Sequence, residues 1–78
     1  MGNNLVPYAV IKTITTLNER DTSAMRLRIV SWNGHPGKLD LRIWRKEDGK
    51  ELPGKGLTLT IKEAGALVDA LAEYLGSG

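Results

Sequence analysis

Two indoles and a set of cations alternate through the middle of the chain: Arg26, Arg28, Trp32, Lys38, Arg42 and Trp44. Guanidinium and ammonium groups hold phosphate oxygens. An indole face stacks on an unpaired base for about 1–3 kcal/mol, with little regard to sequence. Together these residue types could recognise a polyanion whose bases are free, which is single-stranded nucleic acid. A duplex hides its base faces, so exposed tryptophan would gain little there. Two other readings of the tryptophans remain open. Arginine could pack over them as cation–π pairs at the sheet edge, or a second copy of the chain could bury them.

Other reactive residues carry less. Gly54-Lys55-Gly56 lacks the rest of a phosphate-binding P-loop and reads as a strand-entry turn. His35, the single histidine, reads as a solvated loop residue, with a base or phosphate contact as the alternative. It cannot build a zinc site alone, since such a site wants about four ligands. Asp40 is expected to position Arg42 rather than to act as an acid. Asp69 and Glu73 read as solvation of a helix. No nucleophile–base pair or carboxylate dyad stands out, so the expectation is a binding protein and not an enzyme. No cofactor or small-molecule substrate is expected. Cysteine is absent, which removes disulfides and thiolate metal sites and fits a reducing compartment.

The cations and indoles need elements that set them on one surface. Met25–Trp32 alternates cleanly, with Leu27 and Ile29 on one face and Arg26, Arg28, Val30 and Trp32 on the other. Lys38–Arg45 does the same, with Leu39, Leu41 and Ile43 opposed to Lys38, Asp40, Arg42 and Trp44. The turn-rich NGHPG loop between them makes an antiparallel hairpin. Tyr8–Leu17 is rich in β-branched residues and reads as a first strand. Val10 and Ile11 break its alternation, which suggests a bulge. Residues 46–56 read as a charged, glycine-rich loop and Leu57–Leu59 as a short fourth strand.

Thr60-Ile61-Lys62-Glu63 spells a capping box, so a helix begins there. It runs to about Leu75, with Gly76 as its stop. Ile61, Ala64, Leu67, Val68, Leu71, Tyr74 and Leu75 form its apolar stripe. Gly65 beside Ala64 would let another backbone approach, a dimer contact, or else it is a tolerated surface glycine. The expected fold class is α+β: a four-stranded antiparallel sheet followed by one C-terminal helix, ββββα. Leu27, Ile29, Leu39, Leu41 and Ile43 should meet the helix. The face bearing the cations and both indoles should stay uncovered, with Asp40 its only acid.

With 78 residues the chain makes one domain, expected over residues 8–75, with 1–7 and 76–78 as flexible ends. A domain this small buries only about 60% of its unfolded surface, so self-association is the expected staple. The net charge of +2 is uneven: residues 26–62 carry nine Lys/Arg against four Asp/Glu, and residues 63–78 carry three acids and no base. That asymmetry fits a polyanion-facing surface. No apolar run approaches the roughly 20 residues of a membrane span, and the N-terminus lacks a signal-peptide pattern. A cytoplasmic protein with no membrane contact is expected, with nucleoid association an option.

LRIVSWNG at 27–34, KLDLRIW at 38–44 and LPGKGLTLT at 52–60, followed by a capped helix, resemble the transcriptional coactivator family known as positive cofactor four. The likeness is greatest to its bacterial single-domain branch and spans residues 8–75. It implies a curved four-stranded sheet and one helix, paired into a homodimer through the helix side. It also implies grooves that bind single-stranded DNA, with RNA as a further ligand, without sequence preference, in transcription regulation or DNA maintenance. The family's exposed second-strand aromatic falls on Trp32, its third-strand arginine and tryptophan on Arg42 and Trp44, and its basic residue before the fourth strand on Lys55. Arg26, Arg28 and Lys38 join them by face parity. Some members have two basic residues before the fourth strand, and one more residue between the third-strand arginine and tryptophan. The Ser/Lys-rich tail of eukaryotic members is not in this sequence, so activator bridging is not expected. The alternative function is a protein-interaction homodimer that docks an acidic partner on the same face.

Overall fold

Asx-Gly pairs lie in two of the sheet's three connections. Asn33, Gly34, Asp48 and Gly49 all take positive φ, between 52° and 74°, as two-residue type I′ turns require. The His35 N–H donates to the Trp32 carbonyl at 2.9 Å and closes the first turn. In this computed structural model, which describes residues 7–76, the strands are β1 (Tyr8–Glu19), β2 (Ser23–Trp32), β3 (Lys38–Glu47) and β4 (Lys50–Leu59). They form one antiparallel sheet in the order β1-β2-β3-β4, followed by helix α1 (Ile61–Gly76). The α+β, ββββα expectation holds. Of the ends read as flexible, residues 1–6 and 77–78 lie outside the described residues, and Gly76 closes the helix.

The broken alternation of β1 has the cause expected of it, repeated. Register shifts fall between Val10 and Lys12, Thr13 and Thr15, and Thr16 and Asn18. The residue inserted each time is apolar: Ile11, Ile14 and Leu17. Repeated bulges turn a period of two into a period of three and bend the strand.

The fourth strand begins seven residues earlier than expected. The Asp48-Gly49 turn pairs Glu47 with Lys50, so the segment read as a loop is strand. Another register shift lies between Arg42 and Trp44, opposite Pro53 and Gly56. A Cβ at Gly56 would lie 2.0 Å from the Arg42 Cβ, so only glycine permits this close crossing.

Which face becomes the core differs from expectation. Trp44 stands opposite Ala24, while Tyr8 stands opposite Trp32, eight residues further along β2. On a flat sheet that offset alone is roughly 26 Å. Yet the Tyr8 and Trp44 rings lie 5.7 Å apart. The sheet therefore curls, with the arginine–tryptophan face inside. The buried side chains Ala24, Val30, Asp40 and Trp44 all belong to that concave face. On the convex face Leu27, Ile29, Leu39 and Leu41 are only half-buried and Ile43 is exposed.

Nor does the helix cover the leucine set within the chain. Only Thr60 separates β4 from α1, and α1 makes its main contact with that edge strand. No residue of α1 is buried. The capping box forms as read: the Glu63 N–H donates to Thr60 Oγ1 at 3.0 Å, and the Thr60 N–H donates to Glu63 Oε1 at 2.8 Å.

Candidate nucleic-acid interface

The curl stacks five side chains in a row. The Arg28 guanidinium lies 4.6 Å from the Trp44 ring centre. Tyr8 follows, tilted against Trp44 and 5.6 Å from Trp32. Arg42 closes the row, 4.8 Å from the Trp32 ring. Offset aromatic pairs contribute about 0.5–1.5 kcal/mol each beyond area burial, and cation–π contacts a similar amount. The cation–π contacts of one of the three readings are present, Arg28 on Trp44 and Arg42 on Trp32.

Trp44 does share a face with Arg26, Arg28, Arg42 and Trp32, as parity requires. It is not open to solvent, however: it is 0% exposed. The expectation that this indole is offered to bases is corrected, because the curl lays Tyr8 over one part of it and Arg28 over another. Trp32, at the end of β2, stays partly open. Both indole N–H groups are buried with no acceptor among the described residues.

The arginines of this face are also more occupied than their sequence suggests. Arg42 forms a bidentate pair with buried Asp40, both bonds at 2.8 Å, and donates to the Gly54 carbonyl at 2.9 Å. Thr58 Oγ1 donates to the same carboxylate. Asp40 is thus the positioning partner it was read to be. Arg26 donates through Nε and Nη2 to both oxygens of Glu51, at 3.1 and 2.7 Å. Its remaining donors meet Thr16 and Glu19. Arg28 reaches Glu51 at 2.8 Å and Thr13 at 2.9 Å. Lys46 donates to Glu19 and to the Arg20 carbonyl.

Asp40 is therefore not the only acid here. β1 supplies Glu19 and β4 supplies Glu51, two elements whose pairing the sequence reading left undefined. The Arg26 guanidinium, helped by Arg28, holds the Glu51 carboxyl below its ordinary value against the opposing effect of burial. Lys46, then Arg26, do the same for Glu19. Glu51 and Glu19 in turn raise Arg26.

The remaining expected cations lie apart. Lys38 is exposed, and among the described residues its side chain has no ion pair or hydrogen bond. It lines a hollow of about 290 Å³ together with Trp32, Asn33, His35, Pro36 and Thr58. Lys55 is not brought to this cluster. It falls in the β3–β4 register shift and lines a separate hollow with Met25, Leu41, Arg42, Ile43, Gly56 and Leu57. The expected set thus divides: Lys38 and Trp32 share the hollow at the β2–β3 turn, Arg42 lies over the Trp32 ring, Arg26 and Arg28 meet on Glu51, and Lys55 borders a separate hollow that Arg42 also lines.

Sequence reasoning missed Tyr8, Glu19 and Glu51, and gave His35 and Thr58 little weight. A signal for Glu51 existed. Counting outward from Asp48-Gly49 pairs Lys46 with Glu51 and sets both on Trp44's face. Tyr8 had no such signal, because three bulges separate it from any register counted along β1.

An antiparallel meander, curled around an arginine–tryptophan face and followed by a single capped helix, defines the class. The particular family follows from comparison. Residues 20–70 match the family described as Transcriptional Coactivator p15 (PC4). The chain is also 40% identical over 65 residues to an uncharacterized protein of Treponema pallidum (strain Nichols), covering 82% of this chain and 74% of that protein. The chain belongs to the Transcriptional Coactivator p15 (PC4) family, as the resemblance of its strands implied.

Proposed function

We propose that the protein is a homodimer that binds single-stranded DNA without sequence preference and acts in transcription, as a binder rather than a catalyst. The observation that carries the reading is the rim around Trp32. A partly open indole, backed by Arg42, borders a hollow of about 290 Å³ lined by unpaired Lys38 and by His35. A flat aromatic beside an unengaged lysine suits a base and its phosphate. Trp32 is the stacking residue in this reading. Lys38 and Arg42 hold phosphate beside it, and Trp44 keeps the curl that presents them.

The dimer is supported by the convex face. Ile11, Ile14, Leu17, Ile43 and Leu57 are exposed there or on the bulged edge strand, and α1 adds Ile61, Leu67, Val68 and Leu71. Exposed apolar side chains in this number fit an interaction site. Open space around Gly65 leaves room for a second backbone.

Titration of labelled oligo-dT and the matching duplex tests the function. The single strand should bind more tightly, with a log–log salt slope of about −0.7 per phosphate neutralised. Trp32→Ala should weaken it by about 1–3 kcal/mol. Equal affinity for duplex and single strand, or an unaffected Trp32→Ala, would sink the reading.

A further inference from the structure

Glu51 pairs with Arg26 through the donors that could hold a phosphate. Its two oxygens meet Nε and Nη2 of Arg26 in the paired geometry that guanidinium also gives to phosphate. One of those oxygens also holds Arg28. Glu19 takes the outer donors of Arg26, so every guanidinium nitrogen of Arg26 already has an acceptor. The two arginine side chains are 11% and 12% exposed, while Glu51 is 30% and Glu19 53% exposed. The acids therefore sit on the solvent side of the cations.

We propose that Glu51, with Glu19 behind it, is a built-in competitor for phosphate: a polyanionic strand engages Arg26 and Arg28 only by displacing it. This rests on the single-strand reading and specifies how the face is regulated. The acid is tethered beside the forks, so it acts at a high effective concentration. A lone phosphate meets that competition unaided. A strand already held at Trp32 and Lys38 presents further phosphates in the same tethered way and can exchange with the acid. The competitor thus favours long strands over mononucleotides and keeps Arg26 and Arg28 from capturing anions indiscriminately.

The test is the affinity and salt slope of Glu51→Gln for labelled oligo-dT, beside the wild type. Glutamine keeps the size and an acceptor oxygen but removes the charge. The variant should bind roughly tenfold tighter at low salt, with a slope steeper by about 0.7 for each arginine released. The same affinity and slope in a variant that melts like the wild type overturns the proposal. If Glu51→Gln does not fold, exposed Glu19→Gln decides: tighter binding supports the proposal, and unchanged binding overturns it. Wild-type binding without gain in the variant defeats this proposal alone. No binding by either protein defeats the single-strand reading and this inference with it.

Discussion

On the concave face of the sheet Trp44, Val30 and Asp40 are fully buried, with Arg28 against Trp44 and Arg42 against Asp40. On the convex face the leucines and isoleucines of the same strands lie half-buried or open. Residue type alone would reverse that assignment, since arginine and aspartate are seldom fully buried unless paired. The difference teaches that curvature decides burial here. A concave surface brings its own side chains into mutual contact, and each of Arg26, Arg28 and Arg42 there has a carboxylate or ring against it. A convex surface spreads its side chains apart, and apolar ones then need cover from another body.

The largest expected effect breaks the concave side. Trp44→Ala should cost about 3–5 kcal/mol, as for other fully buried tryptophans. In a domain of this size that lowers the melting temperature by well over 10 °C or prevents folding. Thermal melts followed by circular dichroism read it. A Trp44→Ala protein that melts like the wild type yet loses oligonucleotide binding would return Trp44 to the role of base platform.

The convex side breaks differently. Leu71→Asp sets a charge on the exposed apolar stripe of α1, where Leu71 is 48% exposed. Buried in a dimer, an unpaired carboxylate is costly, and the dissociation constant should rise at least about a hundredfold, roughly 2.7 kcal/mol. Sedimentation should show half the wild-type mass with the concave-face tryptophan fluorescence retained. An unchanged dimer would place the contact elsewhere than on α1.

How much of this asymmetry is legible in the sequence follows from the same residues. Alternation placed Arg26, Arg28, Trp32, Arg42 and Trp44 on one face correctly, because period two is rigid within β2 and β3. Thr60 and Glu63 announced the helix with equal clarity. What alternation cannot carry is curvature. The curl depends on inserted residues at 11, 14 and 17 and on a glycine at 56 that lets β4 cross close to Arg42. These are long-range consequences of local irregularities, and they decide whether Trp44 meets Tyr8 or solvent. Glu51 hid for a simpler reason. Its strand carries Pro53, Gly54 and Gly56, which read as loop, and it is strand only because the Asp48-Gly49 turn and the edge position permit them.

A smaller effect sharpens the comparison at the open rim. Lys38→Gln removes an exposed cation beside Trp32 and should leave the melting temperature within about 2–4 °C of wild type, since surface substitutions usually stay within ~0.5 kcal/mol. The salt slope for oligo-dT should fall by about 0.7. Lys55→Gln, at the separate hollow, should change that slope less. Equal slope changes for the two lysines would mean that the strand also runs over that hollow.

The smallest effect is that of acid, and its sign follows from Glu51 and Glu19. Both carboxyls sit below their ordinary value of 4.5 in the folded chain, Glu51 through Arg26 and Glu19 through Lys46. A lowered folded value means that the ionised form is favoured by folding. The stabilisation is fully present above about pH 4.5 and is lost as the pH falls through the lowered values. Melting temperature should therefore be level from pH 7 to 5 and decline below 4.5. Glu51 is partly solvated, so screening keeps the decline shallow. Glu51→Gln should flatten it further, since that carboxyl no longer titrates. These two carboxylates act on the concave face, so acid below about pH 4.5 should loosen Arg26 and Arg28 before it separates the two copies of the proposed dimer. Loss of the dimer at a higher pH than loss of the concave-face fluorescence would show that charge, and not curvature alone, also governs the convex side.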